Sequence, residues 1–301
     1  MINFKKKRII ILGAGGMLGH VLTDYLANTV GHDVFVTIRN SRKLEIIKRI
    51  ISEGKITTDF DVTNFSYVEK YINDIKPDFI INCVGILSIN DQQRLVEAIE
   101  INSLFPQKLS QICSRNINTQ FIHISTDAVF DGLVGNYDEG SQVSPLDSYA
   151  LTKLLGESNG KSDLVIRTSI IGHSLNDGTG LVDWLISSHN QVNGFAGYIY
   201  SGVTTIELSR ILSLIIDIDK RITGVLNISS RPISKYELLK KISIIYKLSI
   251  DINELSEPQI DRSLASTRMQ KLIGDCARSW DKMLVEQCNY FHNNAEIYTK
   301  R

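Results

Sequence analysis

The sequence predicts an α/β fold: a doubly wound parallel sheet with a smaller C-terminal lobe. Three observations predict it. Short apolar runs alternate with amphipathic helical stretches from Arg8 to Thr168. Those runs are continuously apolar, as strands covered on both faces are, rather than alternating polar and apolar. The first run ends in a glycine cluster, Gly13-Ala14-Gly15-Gly16, where a helical pattern begins.

The elements follow in order. Arg8 to Leu12 reads as a strand and Gly16 to Asn28 as a helix. Asp33 to Ile38 is strand-like, and Ser41 to Glu53 is an amphipathic helix that Ser41 can cap. Lys55 to Phe60 is strand-like and Asn64 to Ile75 helical. Phe79-Ile80-Ile81 ends in Asn82-Cys83-Val84-Gly85, and a long helix is expected from about Gln92 to Arg115. Thr119 to Ile124 is a strand, a helix surrounds Tyr149, and Leu164 to Thr168 is a strand again. Beyond about residue 170 the rhythm breaks. Helices are expected at Thr204–Ile218 and Ser234–Tyr246, a strand at Gly224–Ser229, and two further helices after Arg262. The expected division is residues 1–170 as the sheet domain, with a return segment near 203–229. Residues 171–202 and 230–301 then form the smaller lobe.

Bulk properties narrow the function. The 301 residues carry 33 Lys+Arg and 33 Asp+Glu, so nothing marks a nucleic acid as partner. The basic start, Lys5-Lys6-Lys7-Arg8, precedes only four apolar residues before glycine, too few for a secretory h-region. No stretch has the length of a membrane span. Cys83, Cys113, Cys276 and Cys288 show no paired spacing and read as reduced thiols, and the six histidines show no metal-ligand spacing. A cytoplasmic protein without a metal is expected.

The glycine cluster suggests a dinucleotide. G-x-G-x-x-G fails because Leu18 stands at its last position, but G-x-x-G-x-x-G fits through Gly13, Gly16 and Gly19, with Met17 and Leu18 between them. Glycines let the backbone approach a pyrophosphate, and the helix N-terminus favours its charge. This makes the sheet Rossmann-like. The second strand ends in Thr37-Ile38-Arg39-Asn40-Ser41-Arg42. Arg39 and Arg42 can pair with a 2′-phosphate, which favours NADPH while leaving NADH open; a solvated basic turn is the alternative. Asp61, followed by Val62, can contact the adenine or cap the next helix. Cys83 is read as a small buried hydrophobe rather than a nucleophile.

Tyr149 and Lys153 are four residues apart in a helical stretch, so their side chains leave one face. An ammonium beside a phenol favours proton exchange near neutral pH, as carbonyl reduction requires.

These features together carry a family resemblance. Ser125-Thr126-Asp127-Ala128-Val129-Phe130-Asp131-Gly132, Asn82-Cys83-Val84-Gly85, Asn102, the glycines and the Tyr149/Lys153 pair resemble the extended short-chain dehydrogenases/reductases. More narrowly, the chain resembles the dTDP-4-dehydrorhamnose reductase family. The resemblance covers residues 8 to 170 strongly, and the rest more weakly. It implies NADPH-dependent reduction of the 4-keto group of a nucleotide-linked deoxysugar. Tyr149 would protonate the carbonyl oxygen. Lys153 would bind the nicotinamide ribose, and Thr126 would hydrogen-bond the substrate carbonyl. Asp127 would order the sugar hydroxyls. Cys83, Val84 and Gly85 would line the cofactor groove, and Asn102 would support the helix and a relay water. Arg262 would meet the nucleotide diphosphate, and the smaller lobe would bind the substrate. Ala128 replaces a frequent aromatic, and Ser263 a frequent proline, which puts the Arg262 role in doubt.

Two other readings share this scaffold: a nucleotide-sugar epimerase with tightly held NAD, and a non-catalytic NADP-binding regulatory subunit. Ala128 after Asp127 argues against a dehydratase. The nucleotide, the sugar, the stereochemistry and a homodimer are left open. Tyr198 and Tyr200 are expected to pack, as is Trp184, and His173 is expected to be structural.

Overall fold

A computed structural model describes residues 5–115, 118–175, 178, 180–218, 220–274 and 277–298. Cys276 lies outside them. The chain forms two compact units, 1–125 with 147–166 and 212–225, and 126–146 with 167–211 and 226–301. The division thus falls differently from the expected 1–170. Residues 126–146 belong to the second unit, because their backbone pairs with residues 261–265: Tyr137 N donates to Ser263 O at 2.9 Å and Ala265 N to Tyr137 O at 2.8 Å.

Seven strands form the main sheet: β1 (Arg8–Leu12), β2 (Asp33–Thr37), β3 (Ile56–Thr57), β4 (Phe79–Asn82), β5 (Gln120–Ile124), β6 (Asp163–Arg167) and β7 (Gly224–Asn227). Their order is β7-β6-β5-β4-β1-β2-β3. The pairs β1–β2, β1–β4, β2–β3, β4–β5 and β5–β6 are parallel. Chain order reverses at β1, which lies between β2 and β4. In open α/β sheets that switch point opens a crevice at the carboxyl ends of the strands. Ile9 to Leu12 are fully buried, as are Ile80 and Ile81, which explains the unbroken apolar runs. Ile10, Leu12, Ile80 and Phe121 pack with Val68, Ile72, Phe105 and Leu109 on one face. Each such side chain contributes about 2 kcal/mol of transfer free energy.

Several expected elements are shorter or differently wound. The strand expected at 55–60 is only Ile56–Thr57, because Asp59 takes a positive φ of 52° and ends it. The Ser41–Glu53 helix reduces to a tight turn, Ser41–Lys43, and one helical turn, Leu44–Ile47; Asn40, not Ser41, caps it by accepting from Arg42 N at 3.1 Å. The long helix is α-helical at Gln92–Ala98 and Phe105–Arg115 with a π-helical segment, Ile99–Leu104, between. Such widened turns recur at functional positions. Asp147 caps the Tyr149 helix, Ser148–Leu155, by accepting from Ala150 N at 2.7 Å.

In the second unit, Ile233–Ser234, Tyr198–Tyr200 and Ile260–Asp261 form a three-stranded sheet with Tyr198–Tyr200 central. His173 is structural there. Its Nδ1 meets Asp183 Oδ1 at 2.6 Å, its Nε2 meets the Tyr246 hydroxyl at 2.9 Å, and its ring stacks on Phe291 at 3.9 Å. Trp184 departs from the expected packing role, being 42% exposed. Among the described residues, no helix is long and apolar enough to cross a membrane, and no three His, Cys, Asp or Glu are grouped to hold a metal.

Candidate active site

The first unit gathers the glycine loop, the end of β4 and Lys153. Gly13 adopts φ +85°, and a Cβ there would lie 3.0 Å from Val84 Cγ2 and 3.3 Å from the Cys83 carbonyl carbon. A Cβ at Gly19 would overlap the Gly13 carbonyl oxygen. The loop therefore needs glycine for backbone freedom at residue 13 and for close approach at residue 19. Gly16 begins the helix Met17–Asp24 with no side chain capping its N–H groups. Free amide donors at a helix N-terminus, beside backbone bare of side chains, are a cradle for a pyrophosphate. Leu18 is buried behind the loop.

Asn82 shapes the next wall. Its Oδ1 accepts from Val84 N at 3.0 Å, and its Nδ2 meets His123 Nδ1 at 3.2 Å. The Asn82 carbonyl oxygen is thereby turned to Val84, so its amide nitrogen donates to His123. Burial, and then the neighbouring Lys153, hold His123 well below its ordinary pKa, so it is neutral. Cys83 is pushed up to about 12 by burial and is an inert thiol, as expected.

Lys153 is 5% exposed and donates to the Ile124 carbonyl at 2.6 Å, at the carboxyl end of β5. Burial lowers its pKa to about 8, while the Glu157 carboxylate opposes that shift. Glu157 itself accepts from Ser125 Oγ at 2.7 Å. Lys153 is thus a desolvated cation, still mostly protonated at neutral pH, one turn from the half-buried Tyr149. Asn102 is fully buried and completely bonded. It accepts from Ile86 N and donates to Ile86 O, each at 2.8 Å, and donates to Thr152 Oγ1 at 3.1 Å. Its role is to brace the Tyr149 helix. A direct cofactor contact does not fit, because both amide donors are used.

The basic turn after β2 carries three cations. Arg39 pairs with Glu97 at 3.0 Å and is 73% exposed, and Arg42 is exposed. Lys43, which sequence reasoning passed over, reaches the glycine loop and donates to Gly15 O at 2.8 Å. Its position directly after Arg42 was the available signal. Asp61 does not cap the helix. It accepts from Thr63 N at 2.9 Å and Thr63 Oγ1 at 2.8 Å, while Asn64 caps the helix by accepting from Tyr67 N. Val62 is buried in the core.

The second unit holds Thr126, Asp127 and Arg262. Thr126 Oγ1 accepts from Ala128 N at 3.1 Å, capping the short turn Asp127–Val129. Asp127 is buried. Burial raises its pKa, opposed by a Ser169 hydrogen bond and by the charges of Arg262 and Lys235. Lys235 was also passed over by the sequence reading. Ser263 is not a neutral replacement for proline: its N–H donates to Asp261 at 2.9 Å and its Oγ accepts from Asn136 N at 2.8 Å, fixing the loop that carries Arg262.

The chain is similar in sequence and fold to several known proteins. A dTDP-4-dehydrorhamnose reductase of Mycobacterium tuberculosis is 29% identical over 159 residues, covering 51% of this chain and 45% of that protein. The chain spans about half the length of the curated relatives it matches. The crystal structure of a hypothetical dTDP-4-dehydrorhamnose reductase from Sulfolobus tokodaii superposes with TM-score 0.75 at 27% identity, covering 91% of this chain and 98% of that one. The Bacillus anthracis dTDP-4-dehydrorhamnose reductase, solved in complex with NADP, superposes at 0.78 with 22% identity, covering 95% and 100%, and shares the fold. The family described as the RmlD substrate binding domain matches residues 7–241, and with most of the chain inside that match, this protein belongs to it.

Proposed function

We propose that this protein is an NADPH-dependent reductase of the 4-keto group of a nucleotide-linked deoxysugar. The observation that carries the reading is Lys153: a buried ammonium on the Ile124 carbonyl at the end of β5, one helical turn from Tyr149. The names of the curated relatives point to the same chemistry.

Bound NADPH would supply the hydride. Gly13, Gly16 and the amides of Met17 and Leu18 would hold its pyrophosphate, with Cys83, Val84 and Gly85 along the groove. Lys43, Arg39 and Arg42 would favour its 2′-phosphate. Tyr149 donates the proton to the carbonyl oxygen, and Lys153 keeps the resulting phenolate stable and binds the nicotinamide ribose. Asn102 positions both through Thr152. Thr126 would hydrogen-bond the substrate carbonyl, and Arg262 would face the diphosphate.

The test is NADPH oxidation by the purified protein against a panel of 4-keto nucleotide sugars, with NADH in parallel. Turnover of at least one sugar, faster with NADPH, is expected. No turnover of any, together with NAD⁺ retained through purification, would replace this reading with the epimerase.

A further inference from the structure

Glu157 stands where an acid is electrostatically out of place. The Tyr149 helix runs Ser148–Leu155 with Gly156 as its C-cap, and Glu157 is the next residue. The helix dipole disfavours a negative charge at that end. The chain nevertheless fixes this residue at three points. Its N–H donates to Leu154 O at 3.1 Å, its carbonyl accepts from Gln107 Nε2 at 3.3 Å, and its Oε1 accepts from Ser125 Oγ at 2.7 Å. Gln107 also donates to Leu155 O at 3.0 Å, so the end of this helix is pinned to the helix Phe105–Arg115.

The Ser125 bond holds the carboxylate beside Lys153. Ser125 follows Ile124, whose carbonyl accepts from Lys153 Nζ at 2.6 Å. Lys153 and Glu157 are four residues apart, about one turn, and their side chains meet adjacent residues at the carboxyl end of β5. The other titratable groups around the ammonium bring it no negative charge at neutral pH. Burial keeps His123 neutral on β5 and the Cys83 thiol protonated after β4. Tyr149, one turn earlier on the same helix, carries charge only as the phenolate. Glu157 is then the carboxylate that acts on Lys153. A desolvated ammonium gives up its proton readily unless an anion holds it.

We infer that Glu157, oriented by Ser125, is a positioning residue for the reduction: its carboxylate keeps Lys153 an ammonium, so that a cation is in place when Tyr149 becomes a phenolate. The catalytic consequence rests on the function proposed above, whereas the arrangement of Ser125, Glu157 and Lys153 does not.

Two measurements test this. The first reads the proton on Lys153 directly. The full chain with isotope-labelled lysine side chains is titrated by NMR, and the Lys153 signal is identified by its loss in Lys153→Met. The wild-type midpoint should lie at about 8. In Glu157→Gln it should lie about one pH unit lower, and Glu157→Asp, which keeps the charge, should bring it part of the way back. The second follows kcat/KM for a 4-keto nucleotide sugar as pH is varied. At about pH 8 Glu157→Gln should be about fivefold slower than wild type, and at about pH 6 within about twofold, because Lys153 is protonated in both there. An unmoved midpoint in Glu157→Gln overturns the inference, as does a loss of rate that is equal at every pH, the mark of a purely structural role. Should Glu157→Gln fail to fold, Ser125→Ala unties the carboxylate instead. Its midpoint should fall by a smaller amount, and an unmoved one is equally fatal. A lowered midpoint with no keto sugar ever turned over sinks the reductase and leaves the arrangement standing. Turnover with an unmoved midpoint does the reverse.

Discussion

The Asn102 amide nitrogen donates to Thr152 Oγ1 at 3.1 Å, and that hydroxyl donates to the Tyr149 carbonyl at 2.9 Å. The same amide holds Ile86 through both its N–H and its carbonyl. One buried side chain on the π-helical turn thus ties the Tyr149 helix to the segment after β4. A Cβ at Gly156 would overlap the Asn102 carbonyl oxygen, so the two helices approach as closely as their backbones allow. Asn102→Leu leaves the Ile86 N–H and C=O unpaired. It should cost about 3 kcal/mol of stability and lower the melting temperature by several degrees. Calorimetry of the variant decides; a wild-type melting curve would remove the bracing role.

Tyr149→Phe keeps the ring and loses the acidic hydrogen. Turnover should fall by about a hundredfold or more, with NADPH affinity within about twofold of wild type. Single-turnover kinetics and cofactor fluorescence separate the two. A near-normal rate assigns the proton to another group.

Lys153 makes a pH-dependent prediction. Its pKa is lowered in the folded chain, to about 8 from 10.5. Below about pH 8 both states are protonated, and the cost of burying the charge is fully present. Between pH 8 and 10.5 the unfolded state binds more protons, so stability rises with pH, and above that range the cost is gone. Lys153→Met should therefore be inactive yet more stable than wild type at pH 7, by roughly 1–3 kcal/mol, with the gap closing towards pH 10.5. Denaturant melts at both pH values measure it. A destabilised variant at pH 7 would mean that the contact with Ile124 outweighs the burial cost.

Lys43 is the cation that touches the glycine loop, whereas Arg39 is paired with Glu97. Lys43→Gln should weaken NADPH binding by about tenfold and leave NADH binding nearly unchanged. Arg39→Gln should have the smaller effect, because an exposed, paired cation gives up less. Fluorescence titration with the two cofactors compares them, and equal losses for NADPH and NADH would assign Lys43 to the loop's conformation alone.

Much of the first unit was legible in the sequence. Continuous apolar runs report burial on both faces, glycine spacing reports a backbone that must bend and approach closely, and an i,i+4 pair reports one helix face. These are local signals, carried within a few residues of one another. The parallel sheet, the glycine loop and the Tyr149/Lys153 helix came from them. Which cation reaches the glycine loop was settled by three-dimensional packing, because Arg39, Arg42 and Lys43 look alike in sequence while only Lys43 is directed at Gly15. The convergence of Lys235 and Arg262 on Asp127 was likewise invisible. Those residues lie over a hundred positions from Asp127, and hydrogen bonding across one short central strand, not any spacing, brings them together.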